Sequence, residues 1–230
     1  DVSPPEYFWG YNRMTSIEGL FGAGDAVGGT PHAFSSGSFT EGRLAAKAAC
    51  KYIDDGKAEG ITVSDAQIQR RRAEIYKPLE HYKTYRNAIV AGSVNPHYIN
   101  PKQGLDRLQK LMDEYCGGVT VNYMTNEKLL NIGLKKLAIM EEDLEKLAAE
   151  DIHELLRAWE LKHRHRAAEC VTQHTLFRKE TRWPGYYYRG DAMKVDDENW
   201  HVLTVSRRDP KSGEYTMEKA PCYHLVSETE

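Results

Sequence analysis

The sequence predicts an α+β fold that is mainly helical, and three observations support this prediction. The first is a central region, residues 58–178, in which apolar residues recur at helical spacing. The second is a Gly-rich segment, residues 1–57, that closes with an alanine-rich helix. The third is a tail, residues 179–230, with aromatic residues, turn signals and two short β-type segments. We therefore expect three domains or parts with these boundaries.

The central region contains three apolar stripes, each typical of one amphipathic helix. They are Leu105, Leu108, Leu111, Met112 and Tyr115; then Leu130, Leu134, Leu137, Met140, Leu144 and Leu147; then Ile152, Leu155, Leu156, Trp159, His163, Ala167 and Cys170. Consecutive helices of this kind bury their stripes against one another, which predicts a three-helix bundle. An earlier helix, capped by Ser64, is expected to be kinked or split at Pro78.

The tail predicts a small β-containing part. An aromatic loop bent by Pro and Gly occupies residues 183–188. Residues 200–205 have the composition of a strand, and residues 209–213 that of a hairpin turn. Residues 214–217 are expected to return antiparallel to the first strand.

Composition excludes several function classes. The chain has 230 residues, 40 % of them hydrophobic and 28 % charged, with a formal net charge of −3. The net negative charge argues against a general nucleic-acid-binding protein. No apolar run approaches the roughly 20 residues of a membrane span, and the first residues lack the features of a signal peptide. The four cysteines form no C-x-x-C pair, so we expect no metal site. Cys50, Cys116 and Cys170 lie in helical patterns among apolar neighbours, which is typical of reduced packing thiols and predicts a cytoplasmic protein.

The Gly-rich segment contains a candidate ligand loop. An apolar run, predicted as a strand over residues 17–22, ends in Gly24 and Asp25. The glycines at 22, 24 and 28 miss by one residue the spacing of a dinucleotide-binding loop. Two interpretations stay open from spacing alone. In the first, Asp25 accepts hydrogen bonds from a sugar or ribityl chain. In the second, the segment is an ordinary strand-to-helix turn.

A helix start follows this loop. Ser38 and Glu41 have the spacing of a capping box, which predicts that the helix begins at Ser38. Such a start points unpaired backbone N–H groups and a positive dipole end at the loop, where an acceptor-rich cofactor such as a reduced flavin would fit. His32, within the loop, is a candidate for contact with cofactor or substrate, and a structural role is the alternative.

Several motifs resemble one protein family. The sequence GLFGAGD at residues 19–25 is similar to the second FAD-contacting segment of the fumarate reductase/succinate dehydrogenase flavoproteins. In the tail, ETR at 180–182, RGD at 189–191 and DDENWH at 196–201 resemble the C-terminal pattern of that family. Residues 30–43, TPHAFSSGSFTEGR, depart from the dicarboxylate enzymes and resemble the adenylylsulfate reductase alpha subunits.

The resemblance covers essentially the whole chain and implies a function. Residues 1–57 would be the C-terminal segment of an FAD-binding α/β domain. The reaction would be the FAD-dependent reduction of adenylylsulfate to sulfite and AMP, or its reverse, through a sulfite adduct at flavin N5. A ferredoxin-like iron–sulfur beta subunit would supply the electrons. The chain would be the C-terminal part of a longer subunit, inactive alone, with most AMP-binding residues upstream.

The resemblance also implies site residues. Gly24 and Asp25 would contact the sugar side of FAD. The backbone of Ser36, Gly37, Ser38 and Phe39 would lie under the flavin C2 carbonyl. His32 would lie beside the isoalloxazine and sulfite as a catalytic charge stabiliser. Two alternatives remain: another FAD oxidoreductase of the fumarate reductase/succinate dehydrogenase type, or a flavin-free helical interaction module.

Overall fold

The computed structural model describes residues 9–15, 17–26, 35–60, 62–88, 95–182 and 184–222. Helices dominate these ranges, as the sequence predicts. The chain divides into two units, residues 1–69 and residues 70–230. The three boundaries expected from the sequence remain predictions.

The first unit contains a loop and a long helix. Helix α1, Ser35–Asp54, follows a short 3-10 turn, Gly24–Ala26. The strand predicted over residues 17–22 is wrong, because only a single antiparallel bridge, Met14 with Phe21, forms there. Gly19 has a φ of +79°, so the chain reverses direction at this point instead of extending.

Helix α2, Asp65–Tyr85, is continuous through Pro78, so the expected split at that residue is wrong. Ser64 caps the helix as predicted, since its Oγ accepts from the backbone N–H of Gln67 at 3.3 Å. Pro78 is buried, and its carbonyl accepts from the Ala149 N–H at 3.0 Å. Tertiary contacts of this kind hold the segment helical although the proline removes one backbone donor.

The predicted three-helix bundle is confirmed. Its members are α3, Pro101–Tyr115, α4, Glu127–Leu144, and α5, Ile152–Phe177. Its core consists of Leu108, Leu111, Leu137, Met140, Leu144, Leu147, Ala158, Leu161 and Ala168. The first two apolar stripes of the sequence supply most of these residues.

Most of the third predicted stripe does not lie on the buried face of α5. Ile152 and Leu156 are 62 % and 61 % exposed. The buried face instead consists of Leu155, Ala158, Leu161, His165, Ala168 and Thr172. Small alanines let the helices approach closely. The buried His165 ring is satisfied by the carbonyl of Leu137, 2.8 Å from Nε2.

The tail contains the predicted hairpin. Strand β3, Val202–Arg208, pairs antiparallel with β4, Tyr215–Pro221. The turn between them is held by Asp209, whose Oδ1 accepts from the Lys211 and Ser212 N–H groups at 2.8 and 2.6 Å.

Two further strands and a short helix lie in the second unit. Strands β1, Met124–Thr125, and β2, Tyr188–Arg189, pair parallel, and α6 is Asp197–Trp200. Among the described helices, none combines the length and the apolar character needed to span a membrane.

Candidate functional site

The 3-10 turn at Gly24 lies against the beginning of α1. Gly24 has a φ of +63°, and a Cβ built on it would lie 3.1 Å from Ser38 Oγ. A side chain here would therefore be strained in its backbone and crowded by Ser38. The glycine that the sequence singled out is thus needed for the close approach of the turn to the helix.

The capping box predicted for α1 is wrong. The helix begins at Ser35, so Ser38 lies inside it instead of capping it. Glu41 does not reach back to the helix start. Its Oε1 accepts from Arg13 Nη2 at 2.9 Å, and the two side chains form an ion pair that is mostly buried. Glu41 therefore pairs with a charged partner in the preceding loop, and both groups of that pair carry a full charge.

The start of α1 is open and carries no negative charge of its own. Ser35 and Ser36 are exposed, and Phe39 is 80 % exposed. The first turn contains no acidic residue. Its backbone N–H groups and the positive end of the helix dipole are therefore suited to a ligand rich in acceptor atoms. These features fit the FAD that the sequence resemblance implies.

The structure brings part of the predicted site together. Gly24 contacts Ser38, and Ser36, Gly37 and Phe39 lie on the same stretch of helix. The backbone of Asp25 belongs to the 3-10 turn. The side chain of Asp25 and the whole of His32 lie outside the described residues. The role of each site residue stays a prediction.

A second cluster gathers the tail residues that carried the family resemblance. Glu180 is completely buried. Its carboxylate accepts from Arg178 Nη1 and Arg182 Nε, both at 2.6 Å, and from the Asp196 N–H at 2.9 Å. Burial alone would raise the pKa of Glu180. The hydrogen bonds from Arg182 and the Asp196 amide outweigh it and hold this pKa below its ordinary value.

Arg189 links the bundle helices. It is 1 % exposed, and its Nη1 donates to the carbonyls of Thr175, Leu176 and Arg178 at the end of α5. Its Nε and Nη2 donate to both carboxylate oxygens of Asp191, at 2.9 and 3.0 Å. Asp191 in turn accepts from the Glu127 N–H at the start of α4, at 2.9 Å.

This pairing has an electrostatic consequence. The hydrogen bonds from Arg189 lower the pKa of Asp191 to about 2. Arg189 thus donates to the carbonyls at the end of α5, and the carboxylate of Asp191 accepts from the backbone N–H at the start of α4. Both helix ends are satisfied by groups of the kind that their dipoles favour. Arg189 and Asp191 therefore hold the fold together, and no space for a ligand separates them.

Sequence reasoning missed the buried ion pair of Arg13 and Glu41. Arg13 lies in a segment without periodicity, and the spacing of Glu41 from Ser38 suggests a cap instead. No local signal pairs two residues 28 positions apart. Within the described ranges, no cluster of three or more His, Cys, Asp or Glu side chains could hold a metal ion.

Comparison with known proteins gives a consistent result. Residues 105–227 match the family model described as fumarate reductase flavoprotein C-term. The chain is 42 % identical over 219 residues to the adenylylsulfate reductase subunit alpha of Megalodesulfovibrio gigas, covering 94 % of this chain and 32 % of that protein.

Solved structures agree with the sequence match. Adenylylsulfate reductase from the hyperthermophile Archaeoglobus fulgidus matches with a TM-score of 0.89 and 51 % identity, over 94 % of this chain and 34 % of that one. An adenosine-5-phosphosulfate reductase in complex with sulfite, as a covalent adduct, matches with the same values. The chain spans about a third of the length of these relatives.

Proposed function

Because this chain belongs to the fumarate reductase flavoprotein C-terminal family, we propose that it forms the C-terminal part of an adenylylsulfate reductase alpha subunit. The observation that carries this proposal is the 42 % identity over 94 % of the chain to such a subunit. The agreement of the fold with a solved adenylylsulfate reductase, at a TM-score of 0.89, supports it.

The proposed reaction is a two-electron reduction at sulfur. Adenylylsulfate accepts two electrons, the bond between sulfur and the oxygen on phosphorus breaks, and the products are sulfite and AMP. The reverse direction oxidises sulfite in the presence of AMP. FAD, when bound, supplies the carrier for the two electrons.

This chain contributes one side of the FAD site. The unpaired N–H groups in the first turn of α1, those of Ser36 and Gly37, bind acceptor atoms of the flavin ring, whereas Ser38 and Phe39 lie in the helix behind them, and Gly24 allows the close approach beside them. Asp25 accepts hydrogen bonds from the sugar or ribityl hydroxyls. His32 stabilises negative charge beside the ring and sulfite.

The proposed partners follow from the same relationship. The related protein is named an alpha subunit, so a second subunit belongs to the assembly. We assign to it the role of a ferredoxin-like iron–sulfur beta subunit that passes electrons to FAD. The small-molecule partners are adenylylsulfate or AMP and sulfite, and the compartment is the cytoplasm.

The test uses the complete subunit that contains this chain, purified with its flavin. We expect sulfite to bleach the flavin absorbance, and we expect AMP-dependent sulfite oxidation with ferricyanide as the electron acceptor. Reduction of the flavin by succinate instead would favour the dicarboxylate alternative. A complete subunit without flavin would favour the helical interaction module.

A pair of histidine variants tests the site assignment. His32→Ala should retain FAD and lose most of the AMP-dependent turnover with sulfite. His153→Ala, which changes an exposed residue of α5, is the matched control and should keep full turnover. If His32→Ala also keeps full turnover, its proposed role is wrong.

A further inference from the structure

Arg13 has an unusual backbone for its residue type. Its φ is +64°, in the left-handed region that residues with a Cβ rarely adopt. Such a conformation is energetically unfavourable and persists only where the surroundings determine it strongly. The contacts of Arg13 must therefore compensate for its unfavourable backbone conformation.

Two contacts hold Arg13 in place. Its carbonyl accepts from the Gly22 N–H at 2.9 Å, which closes the loop that leads into the Gly24–Ala26 turn. Its guanidinium donates to Glu41 of α1 at 2.9 Å. One residue thus ties the loop before the turn to the helix that the turn contacts.

Glu41 occupies an unexpected place on α1. The buried face of this helix consists of Glu41, Ala45, Ala48 and Tyr52, so a carboxylate stands where an apolar side chain is the rule. Glu41 follows Ser38 by three residues and shares its face of the helix. The carboxylate therefore lies one helical turn from the contact between Ser38 and Gly24.

The burial of this pair makes its charge balance important. The side chains of Arg13 and Glu41 are only 15 % and 10 % exposed. Water and salt screen charges at such sites poorly. Without Arg13, the carboxylate would place an uncompensated negative charge close to the helix start that we assign to FAD.

We propose that the Arg13–Glu41 ion pair is a positioning and charge-balancing element of the flavin site. It holds the start of α1 against the Gly24 turn, and it cancels a carboxylate charge that would disfavour the reduced, more negative form of FAD. This inference rests on the proposed function of the subunit, because it places FAD at the start of α1.

The test compares reduction potentials in a charge cycle, using the complete flavin-loaded subunit. Arg13→Gln leaves the carboxylate alone and should lower the flavin potential. Glu41→Gln leaves the guanidinium alone and should raise it. The double variant Arg13→Gln/Glu41→Gln restores neutrality and should return the potential toward that of the wild type. Arg13→Lys keeps the charge and should stay close to the wild type. The potential of each is measured by spectroelectrochemical titration.

A merely structural role predicts a different pattern. All variants that break the pair would then weaken flavin retention or thermal stability, with no opposite shifts in potential, and the proposal would be overturned. If Arg13→Gln does not retain flavin, the Glu41→Gln variant tests the proposal by itself. An unchanged or lowered flavin potential in Glu41→Gln contradicts the proposal. A wild-type subunit that binds no flavin refutes the proposed function, whereas a normal wild type with unshifted variants refutes only this inference.

Discussion

At the scale of single residues, the tail motifs have a structural meaning. Arg189, Asp191 and Glu180 belong to segments that resemble a flavoprotein family, and the structure places them in hydrogen-bond clusters in which Arg189 and Glu180 are buried. Motif residues of this kind are easily taken for a catalytic set. Here they satisfy the ends of two helices and a loop. A buried charge is stable in such a role only because an opposite charge and hydrogen bonds compensate it.

Replacing Arg189 should therefore be costly. Arg189→Ala removes the donors to three carbonyls of α5 and leaves the Asp191 carboxylate without its arginine. We expect a loss of about 3–5 kcal/mol in the free energy of unfolding, measured by urea denaturation. Arg207→Ala, whose ion pair with Glu218 is exposed, is the control and should change it by less than about 0.5 kcal/mol. Equal losses in both variants would contradict the assignment.

The lowered pKa of Asp191 predicts a pH dependence. Hydrogen bonds from Arg189 lower this pKa from 3.8 to about 2 in the folded chain. In this interval the unfolded chain binds more protons, so the carboxylate stabilises the fold above about pH 4 and this stabilisation is lost toward about pH 2. In Asp191→Asn, the free energy of unfolding should be lower at neutral pH and fall less steeply over the same interval. Parallel pH curves for the two proteins would argue against the pairing.

At the scale of elements, helix packing depends on glycines that leave room for a neighbour. Gly104 of α3 faces Leu161 of α5, and a Cβ at Gly104 would collide with Leu161 Cδ2. Leu161 is 2 % exposed, so it has little space into which to move. Gly42 of α1 is the opposite case, since no neighbouring atom of the described residues lies within 4 Å of a Cβ added there. Gly104 therefore allows two helices to pack closely, whereas Gly42 has no such packing role among the described residues.

Alanine at these two glycines should have opposite effects. Gly104→Ala overpacks the contact between α3 and α5, and we expect a loss of about 1–3 kcal/mol in the free energy of unfolding. Gly42→Ala removes a flexible residue from a helix interior and should add up to about 1 kcal/mol. Thermal unfolding followed by circular dichroism measures both. A stabilised Gly104→Ala variant would show that the two helices pack less tightly than described.

At the scale of the whole molecule, the chain represents about a third of its relatives' length. The described part contributes a glycine turn and one helix start to the proposed FAD site. A cofactor of this size needs more contacts than these. Under the proposed function, activity, substrate binding and partner binding therefore belong to the complete subunit.

Flavin retention tests this view. The 230-residue chain, mixed with FAD and desalted, should keep a negligible amount of flavin absorbance, whereas the complete subunit should stay yellow. A stoichiometric yellow complex of the short chain would show that its own residues form a sufficient site. The comparison is made at equal protein concentration, because retention depends on it.

The sequence by itself determined the bundle, the hairpin and the family. Apolar residues at helical spacing identify α3 and α4, and turn residues locate the bend between β3 and β4, because these signals are local in the chain. The motifs around Gly24 and in the tail likewise occur as short continuous segments. Their order along the chain was enough to indicate a flavoprotein relative.

Only the tertiary structure decided which groups meet. In the structure α1 begins at Ser35, and the buried face of α5 contains His165. Arg13 pairs with Glu41, and Arg189 donates to the carbonyls at the end of α5. Each of these outcomes depends on a partner distant in sequence. A buried charge or polar ring is stable only beside that partner, and spacing along one segment carries no information about it.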